Sequence, residues 1–202
     1  AVLLFASLGA AEQLTPIPSR VEQGFVLGFP NATYTLEVYY DHLCSDSANA
    51  YPALITYWQD NSSWLSLVIH IFPLPYHYNA FWVAQAGRFI QGSYPERFLN
   101  FTSYFFQHQS TYLVAAKSWN FAQITAQLAN DTSAATGVPQ SEVLSALNDD
   151  DINWSTRVSW KYACSNVVSG TPQYFVNGVS VPDVADYTTY GDWSKFFQNI
   201  NN

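Results

Sequence analysis

The chain has 202 residues, of which 49% are hydrophobic, 17% aromatic and 11% charged, and its net charge is -8 with no basic run. This length and apolar content suffice for one buried core, and they exclude a disordered chain, a coiled coil and a long solvated helix. Because contacts to phosphate dominate nucleic-acid affinity, so acidic a chain is not expected to bind nucleic acid.

The first eleven residues form a short apolar run that ends on small residues, with Gly9 and Ala11 just before Glu12. This pattern is typical of the hydrophobic region and cleavage site of a secretory signal, so we expect residues 1–11 to be a signal-peptide remnant. The alternative is an apolar strand or packing arm of the mature protein. No other stretch reaches the roughly 18 apolar residues of a membrane helix, so no membrane span is expected.

Five N-x-[ST] sequons support secretion, and they begin at Asn31, Asn61, Asn100, Asn130 and Asn153. Such sequons accept N-linked glycans in proteins that enter the secretory pathway. Glycans would also keep an aromatic, weakly charged surface soluble. We therefore expect an N-glycosylated protein of the secretory pathway, located in the ER lumen or outside the cell.

The first half of the chain predicts a strand, a helix and a second strand. Residues 12–30 are interrupted by Pro and Gly and predict an extended lead-in. Thr35–Tyr40 alternates and is rich in β-branched and aromatic residues, as strands are. Ser45–Gln59 has apolar residues at helical spacing, with Pro52 as a kink or start point, and Trp64–Phe72 is typical of a buried strand. A helix between two strands predicts a right-handed βαβ unit with parallel strands.

The second half begins with helices and ends with a hairpin. Residues 77–136 carry apolar positions at helical period and predict an all-helical segment. Asn177-Gly178 between two apolar runs predicts a β-hairpin with a tight turn. The elements predicted after residue 77 are helices at Asn79–Phe89, Glu96–His108, Phe121–Leu128, Gln140–Leu147 and Asp149–Ser165, strands at Gln173–Val176 and Val179–Val181, and a last helix at Asp192–Ile200.

Two motifs carry the chemical signal. Cys44 stands at the predicted strand-to-helix turn, in the run Cys44-Ser-Asp-Ser47, where free N–H groups and the positive end of the helix dipole stabilise a thiolate. Far along the chain, Gly170-Thr171-Pro172 lies immediately before the first hairpin strand.

These motifs, with Phe72–Phe81, resemble the DsbA-like branch of the thioredoxin superfamily, over about residues 25–200. The resemblance is to a eukaryotic secretory-pathway type that carries C-x-x-S instead of C-x-x-C. It implies an α/β thioredoxin-like fold with an inserted helical subdomain. The implied division is a first βαβ half at residues 12–76, the inserted helices at residues 77–148, and a second half at residues 149–202 with the long helix, the cis-Pro loop, the hairpin and the C-terminal helix.

The resemblance also implies the site residues. Cys44 would be the nucleophile, and Ser47 replaces the resolving cysteine. Thr171 and a cis Pro172 would face the thiol across a groove that binds a polypeptide substrate. A hydroxyl cannot take part in thiol–disulfide exchange, so a C-x-x-C oxidase cycle is excluded. No cofactor is implied, and no metal site is expected because the chain lacks zinc-type His and Cys spacing.

Two further residues have open roles. His42 lies two residues before Cys44 and is a candidate to stabilise its thiolate, the alternative being an ordinary loop side chain. Cys164 ends the long predicted helix, and three interpretations stay open for it. It is a buried small apolar residue, a disulfide partner of Cys44, or an unpaired thiol open to a partner.

One position departs from the family pattern. The family often has a buried acidic residue six positions before the cysteine, but Val38 stands there in this chain. Glu37 is seven positions before it, and strand alternation places it on the other face. We therefore expect Glu37 to be a solvated or edge carboxylate.

Two functions remain open at this stage. The first is a secreted DsbA-like glycoprotein with single-cysteine thiol–disulfide activity, of the reductase or isomerase type, through Cys44. The second is a non-enzymatic extracellular glycoprotein that uses the same fold as a binding or structural module, for example within an extracellular assembly. A Cys44 that is buried or bridged to Cys164 would contradict the first function, and an exposed Cys44 that traps a disulfide peptide would contradict the second.

Overall fold

A computed structural model describes residues 24–29 and 31–200, and the predicted signal remnant at residues 1–11 lies outside this range. Its strands are β1 (Phe25–Leu27), β2 (Tyr34–Tyr40), β3 (Leu65–Ile71), β4 (Gln173–Val176) and β5 (Val179–Ser180). Its helices are α1 (Ser45–Asn61), α2 (Ala80–Ser93), α3 (Phe98–Gln107), α4 (Gln109–Leu113), α5 (Phe121–Thr136), α6 (Gln140–Leu147), α7 (Asp150–Ser165) and α8 (Tyr190–Ile200).

The strands form one mixed sheet in the order β1-β3-β2-β4-β5. β2 and β3 are parallel and are joined by α1, as the sequence predicts, with Val38 opposite Ile69. β4 runs antiparallel to β2 and continues into β5 through a tight turn. Asn177 and Gly178 have positive φ angles of 48° and 80°, which is the turn geometry that the Asn-Gly pair favours. This sheet with its covering helices is the expected α/β thioredoxin-like fold.

Strand β1 was not predicted. It pairs antiparallel with β3 at the sheet edge, within the segment that the sequence predicts as an extended lead-in. Its three residues are too few to show an alternating pattern. Gly28 ends the strand with a φ of 95°, and a Cβ there would lie only 3.2 Å from Ser66 Cα. Glycine therefore allows the chain to leave the sheet while staying close to β3.

Residues on the two faces of the sheet belong to different buried clusters. On one face, alternate residues of β2 such as Leu36, Val38 and Tyr40 join the large apolar core. On the other face, Tyr39 belongs to a smaller buried cluster that includes Cys44 and Ala163 of α7. Every residue of β3 is buried because helices cover the central strands on both sides. The site described below lies on the face of the smaller cluster.

Helices α2 to α6 follow β3 in the chain and precede α7. Helix α5 begins with a capping box between Asn120 and Gln123 and continues to Thr136, beyond the predicted end at Leu128. It stops at Gly137, whose φ of 75° is the left-handed conformation that ends many helices. No helix within residues 24–29 and 31–200 has the length and apolar character to cross a membrane. The division at residues 76 and 148 stays a prediction.

Candidate active site around Cys44

Cys44 is the residue immediately before α1 and has an extended backbone, with φ and ψ angles of -81° and 124°. Its backbone N–H closes a turn by donating to the carbonyl of Asp41 at 3.0 Å. The side chain is 6% exposed, and its Sγ donates to the carbonyl oxygen of Thr171 at 3.2 Å. This hydrogen bond belongs to the protonated thiol, since a thiolate has no proton to donate.

The Thr171–Pro172 peptide bond is cis, as the family resemblance implies. Pro172 is buried and directly precedes β4, whose Gln173 pairs with Tyr39 near the end of β2. Cys44 follows β2 and Pro172 precedes β4, so the antiparallel pairing brings the two loops together. Cys44 and the proline loop are therefore neighbours, although 127 positions separate Cys44 from Thr171 in sequence.

Ser47 is fully buried in the first turn of α1. Its hydroxyl has no hydrogen-bond partner among the described residues. A side chain three residues after the helix-capping residue reaches back towards that residue, as in a capping box. Ser47 thus occupies the place of a resolving thiol, with a group that cannot form a disulfide.

His42 does not have the role proposed for it. Its ring is 2% exposed and lies between the rings of Phe98, Phe101 and Phe106, while Nε2 is 3.2 Å from Thr102 Oγ1. Burial lowers the pKa of His42 to about 3, because the apolar surroundings disfavour the charged ring. A neutral imidazole carries no positive charge to stabilise a thiolate. The prediction of His42 as a thiolate modulator is wrong because α3 encloses the ring.

Asp41 holds the loop before Cys44 in place. Its carboxylate is 1% exposed and accepts hydrogen bonds from Leu43 N at 2.8 Å, from Leu74 N at 2.9 Å and from His77 Nδ1 at 2.6 Å. Burial raises the pKa of Asp41, and these three donors partly oppose that rise. The residue ties the Cys44 loop to the loop after β3. Sequence reasoning missed it, although an acidic residue inside an otherwise apolar run was a usable signal.

A second restraint on the Cys44 loop comes from the helices between β3 and α7. Gln109 of α4 donates from Nε2 to the carbonyl oxygens of His42, at 3.0 Å, and of Cys44, at 2.8 Å. One amide group thus holds both sides of the turn that presents the thiol. The helices after β3 therefore contribute directly to the geometry of the site.

Glu37 also differs from its prediction. Its Oε2 lies 3.1 Å from Nε2 of His70, and its side chain is 28% exposed. The His70 ring stacks on Tyr39 with ring centroids 4.4 Å apart, and Tyr39 belongs to the buried cluster that contains Cys44. Glu37 is thus a hydrogen-bonded carboxylate on the Cys44 side of the sheet. The counting argument failed because the turn after β2 carries Cys44 to that face.

Cys164 lies in the last turn of α7 and is exposed. Both cysteines are free thiols, so neither the disulfide to Cys44 nor the buried apolar residue describes it. Partial burial raises the pKa of the Cys164 thiol, which a hydrogen bond to the backbone partly opposes. The remaining alternative, an unpaired thiol, stands. The structure therefore brings together Cys44, Ser47, Thr171 and Pro172, and it leaves Cys164 outside this group.

Comparisons with known proteins agree with this geometry. A family model described as Thioredoxin matches residues 20–199, so the chain belongs to the thioredoxin family. A search of curated protein sequences found no match.

Solved structures show the same fold at low sequence identity. BdbD from Bacillus subtilis, in its oxidised form, aligns over 89% of this chain and 94% of its own, with 16% identity and a TM-score of 0.68. MdbA, a thiol-disulfide oxidoreductase from Actinomyces oris, aligns over 86% and 84%, with 19% identity and a TM-score of 0.65. DsbA from Chlamydia trachomatis aligns over 92% and 93%, with 14% identity and a TM-score of 0.66.

Proposed function

We propose that this chain is a secretory-pathway glycoprotein that forms mixed disulfides with polypeptide substrates through Cys44, as a reductase or an isomerase. The observation that carries the proposal is the free thiol at the start of α1, 3.2 Å from the carbonyl that precedes cis Pro172. The proline loop beside the thiol is the surface on which an extended substrate would lie.

The chemistry needs only one thiol in the protein. The Cys44 thiolate attacks one sulfur of a substrate disulfide, a mixed disulfide forms, and the other substrate sulfur leaves as a thiolate. In isomerisation, another thiol of the substrate attacks the mixed disulfide and releases Cys44 with no net oxidation. In reduction, glutathione attacks the Cys44 sulfur and the second substrate sulfur leaves as a thiolate. A second glutathione then attacks the glutathione–Cys44 disulfide, which releases Cys44 and forms oxidised glutathione. Ser47 cannot perform this resolving step.

The burial of the Cys44 thiol supports a second candidate function, the non-enzymatic binding module. Cys44 is only 6% exposed, and the Thr171 carbonyl occupies its hydrogen-bonding site. Burial of Cys44 by itself meets the sequence criterion that counts against the enzymatic function. A bridge to Cys164 would have met that criterion equally, but both cysteines are free. We place the enzymatic proposal first because a free thiol faces the proline loop.

Trapping of a substrate separates the two candidates. The Cys164→Ser protein is mixed with a peptide that carries a glutathione mixed disulfide, and covalent adducts are counted by intact mass. We expect one peptide per chain, and none after the further change Cys44→Ala. Absence of an adduct in a folded Cys164→Ser protein would favour the binding module.

Glycosylation is the second part of the proposal. Asn31, Asn100 and Asn130 are exposed, although the Asn130 amide donates to Asp131 Oδ1 at 3.4 Å. Asn61 and Asn153 are partly buried, and their amides donate to Tyr57 O at 2.8 Å and to Gln85 Oε1 at 3.0 Å. A glycan on the amide nitrogen of Asn61 or Asn153 would compete with these hydrogen bonds. We therefore expect occupancy at the three exposed sites in protein secreted from eukaryotic cells. Site mapping after glycosidase treatment measures it, and unmodified secreted protein would contradict the proposal.

A further inference from the structure

An apolar cavity of about 290 Å³ lies between the loop after β3 and helix α7. Leu74, Pro75, Phe81 and Trp160 form much of its wall. Pockets for whole small molecules usually enclose about 300–1,000 Å³, so this one is at the lower limit. Its size and lining suit one large apolar side chain. The mixed-disulfide chemistry described above does not use it.

The cavity wall is joined to the surroundings of Cys44. Leu74 lines the cavity and belongs to the same buried cluster as Cys44. Trp160 stacks on Phe72 of that cluster with ring centroids 5.8 Å apart, and its Nε1 donates to Pro73 O at 3.1 Å. These contacts connect the cavity wall to the buried cluster that contains Cys44.

Charge distinguishes this cavity from an ordinary surface depression. The whole chain has seven Lys and Arg residues against a net charge of -8, and two of the seven, Arg157 and Lys161, line the cavity. Neither forms an ion pair with a carboxylate in the part of the chain that the structure describes. The Arg157 guanidinium lies 5.2 Å from the ring centroid of Trp154. Two unpaired cations beside an apolar cavity are complementary to an apolar group with a neighbouring carboxylate.

We propose that this cavity selects substrates: it binds a large apolar side chain of a polypeptide, and Arg157 and Lys161 bind an Asp or Glu carboxylate next to that side chain. Bound in this way, the substrate would present a nearby disulfide to Cys44. The inference rests on the proposed mixed-disulfide function, and it adds the class of substrate. A polypeptide is the occupant we choose because Cys44 needs a cysteine in the same ligand.

The test uses three short peptides that share one cysteine, carried as a mixed disulfide with glutathione. The residues next to this cysteine are Phe-Glu, Phe-Lys or Ser-Glu. With the Cys164→Ser protein we measure the rate at which each peptide joins Cys44 and releases glutathione, at subsaturating concentration. Burial of an apolar side chain predicts at least a tenfold faster reaction for Phe-Glu than for Ser-Glu. Exposed ion pairs predict about a threefold preference for Phe-Glu over Phe-Lys.

A charge-reversal variant and a matched control sharpen the test. Arg157→Glu with Lys161→Glu should make Phe-Lys the faster of the two Phe peptides. Lys117→Glu with Lys195→Glu makes the same change in net charge at two exposed positions outside the cavity, and it should leave the preference unchanged. Equal rates for all three peptides, or an equal effect of both double variants, would overturn the proposal.

A non-covalent arm separates failure of the site from failure of the chemistry. Peptides with Ser in place of the cysteine are titrated into the Cys44→Ser, Cys164→Ser protein, and the NMR signal of the Trp160 indole N–H is followed. If no peptide reacts but the Phe-Glu peptide shifts this signal and Arg157→Glu weakens the shift, the mixed-disulfide function fails and the cavity stands as a peptide site. Tighter binding of a fatty acid such as decanoate than of any peptide would overturn the assignment to a polypeptide.

Discussion

Cys44 and Cys164 lie at opposite ends of helices and in opposite surroundings. Cys44 precedes α1, is 6% exposed, and sits in a loop held by Asp41 and Gln109. Cys164 ends α7, where the thiol is exposed and carbonyl groups point along the chain direction. The start of a helix favours negative charge and the end of a helix disfavours it. The two thiols therefore differ in exposure and in the helix end that lies beside them.

The two thiols differ in access. Cys164 is open to reagents, although partial burial raises the pKa of its thiol. Cys44 is covered by the Thr171 carbonyl and by the surrounding buried cluster. An assay that counts only accessible thiols would report Cys164 and not Cys44. The experiments below measure the two thiols separately.

The largest effect is expected from Ser47→Cys, made together with Cys164→Ala. A thiol at position 47 would reach back to Cys44, and the two should form a disulfide under oxidising glutathione, with loss of two hydrogens from the intact mass. The protein with Ser47 has no such partner and should form only a glutathione adduct. Ser47→Ala in the same background is the control. Two free thiols in a folded Ser47→Cys protein would show that the helix start does not have thioredoxin-type geometry.

Asp41→Ala should make the Cys44 thiol more accessible, as the Cys164 thiol already is. The change leaves the buried N–H groups of Leu43 and Leu74 without their acceptor, and we expect the free energy of unfolding to fall by about 3 kcal/mol. Alkylation of Cys44 should become faster while that of Cys164 stays the same. Urea unfolding and peptide-resolved labelling rates measure the two effects. A loss below about 0.5 kcal/mol with unchanged labelling would mean that Asp41 does not hold the loop.

The next effect is a pH dependence centred on the Cys44 loop. The pKa of His42 is about 3 in the folded protein and 6.5 as its ordinary value, so the unfolded chain binds more protons between these pH values. Stability should therefore rise with pH across this range, by about 2 kcal/mol between pH 5 and pH 7 from His42 alone.

Comparison with His42→Gln isolates this contribution. The raised pKa of Asp41 acts in the opposite direction, because stability falls as pH rises above the ordinary value of 3.8. Both proteins contain Asp41, so the difference between them reports the histidine. The glutamine protein should lack the 2 kcal/mol rise measured by urea unfolding at pH 5 and pH 7. An identical rise in both proteins would show that His42 is not buried in its neutral form.

The smallest effect is expected from Cys164→Ala. The side chain is exposed, so the free energy of unfolding should change by no more than about 0.5 kcal/mol. Adduct formation at Cys44 should be unchanged. A large loss of trapping in this variant, measured by intact mass, would contradict the separation of the two cysteines, because it would require Cys164 to take part in the reaction.

The sequence predicted the central part of the fold well. The β2-α1-β3 unit has strong local signals in each element, and the Asn177-Gly178 turn has a preferred geometry of its own. Strand β1 was missed because its three residues gain their order from β3 and not from their own pattern. The end of α5 was placed too early because Ala129–Ala135 is rich in small and polar residues, and the left-handed Gly137 sets the true end.

Only those residues of the candidate site that lie in short sequence motifs were predicted. Cys44, Thr171 and Pro172 could be found because each lies in a short recognisable run. The roles of Asp41 and Gln109 depend on partners from other parts of the chain, such as Leu74, which no local pattern specifies. His42 was assigned wrongly for the same reason, since the aromatic side chains of α3 determine its charge. Long-range packing, and not composition, decides these cases.

The contact of Gln109 has a consequence for how this architecture can be altered. Its amide is supplied by α4 and holds the carbonyls of His42 and Cys44 on the sheet side. Helices α2 to α6 therefore contribute to the geometry of the candidate site and cannot be exchanged without affecting it. A chimera with the helices of another protein would need a side chain at the same place that donates to both carbonyl oxygens. Without such a side chain, the turn before α1 would lose these two hydrogen bonds. The Cys44 loop and helix α4 therefore depend on each other structurally, although neither sequence motif contains Gln109.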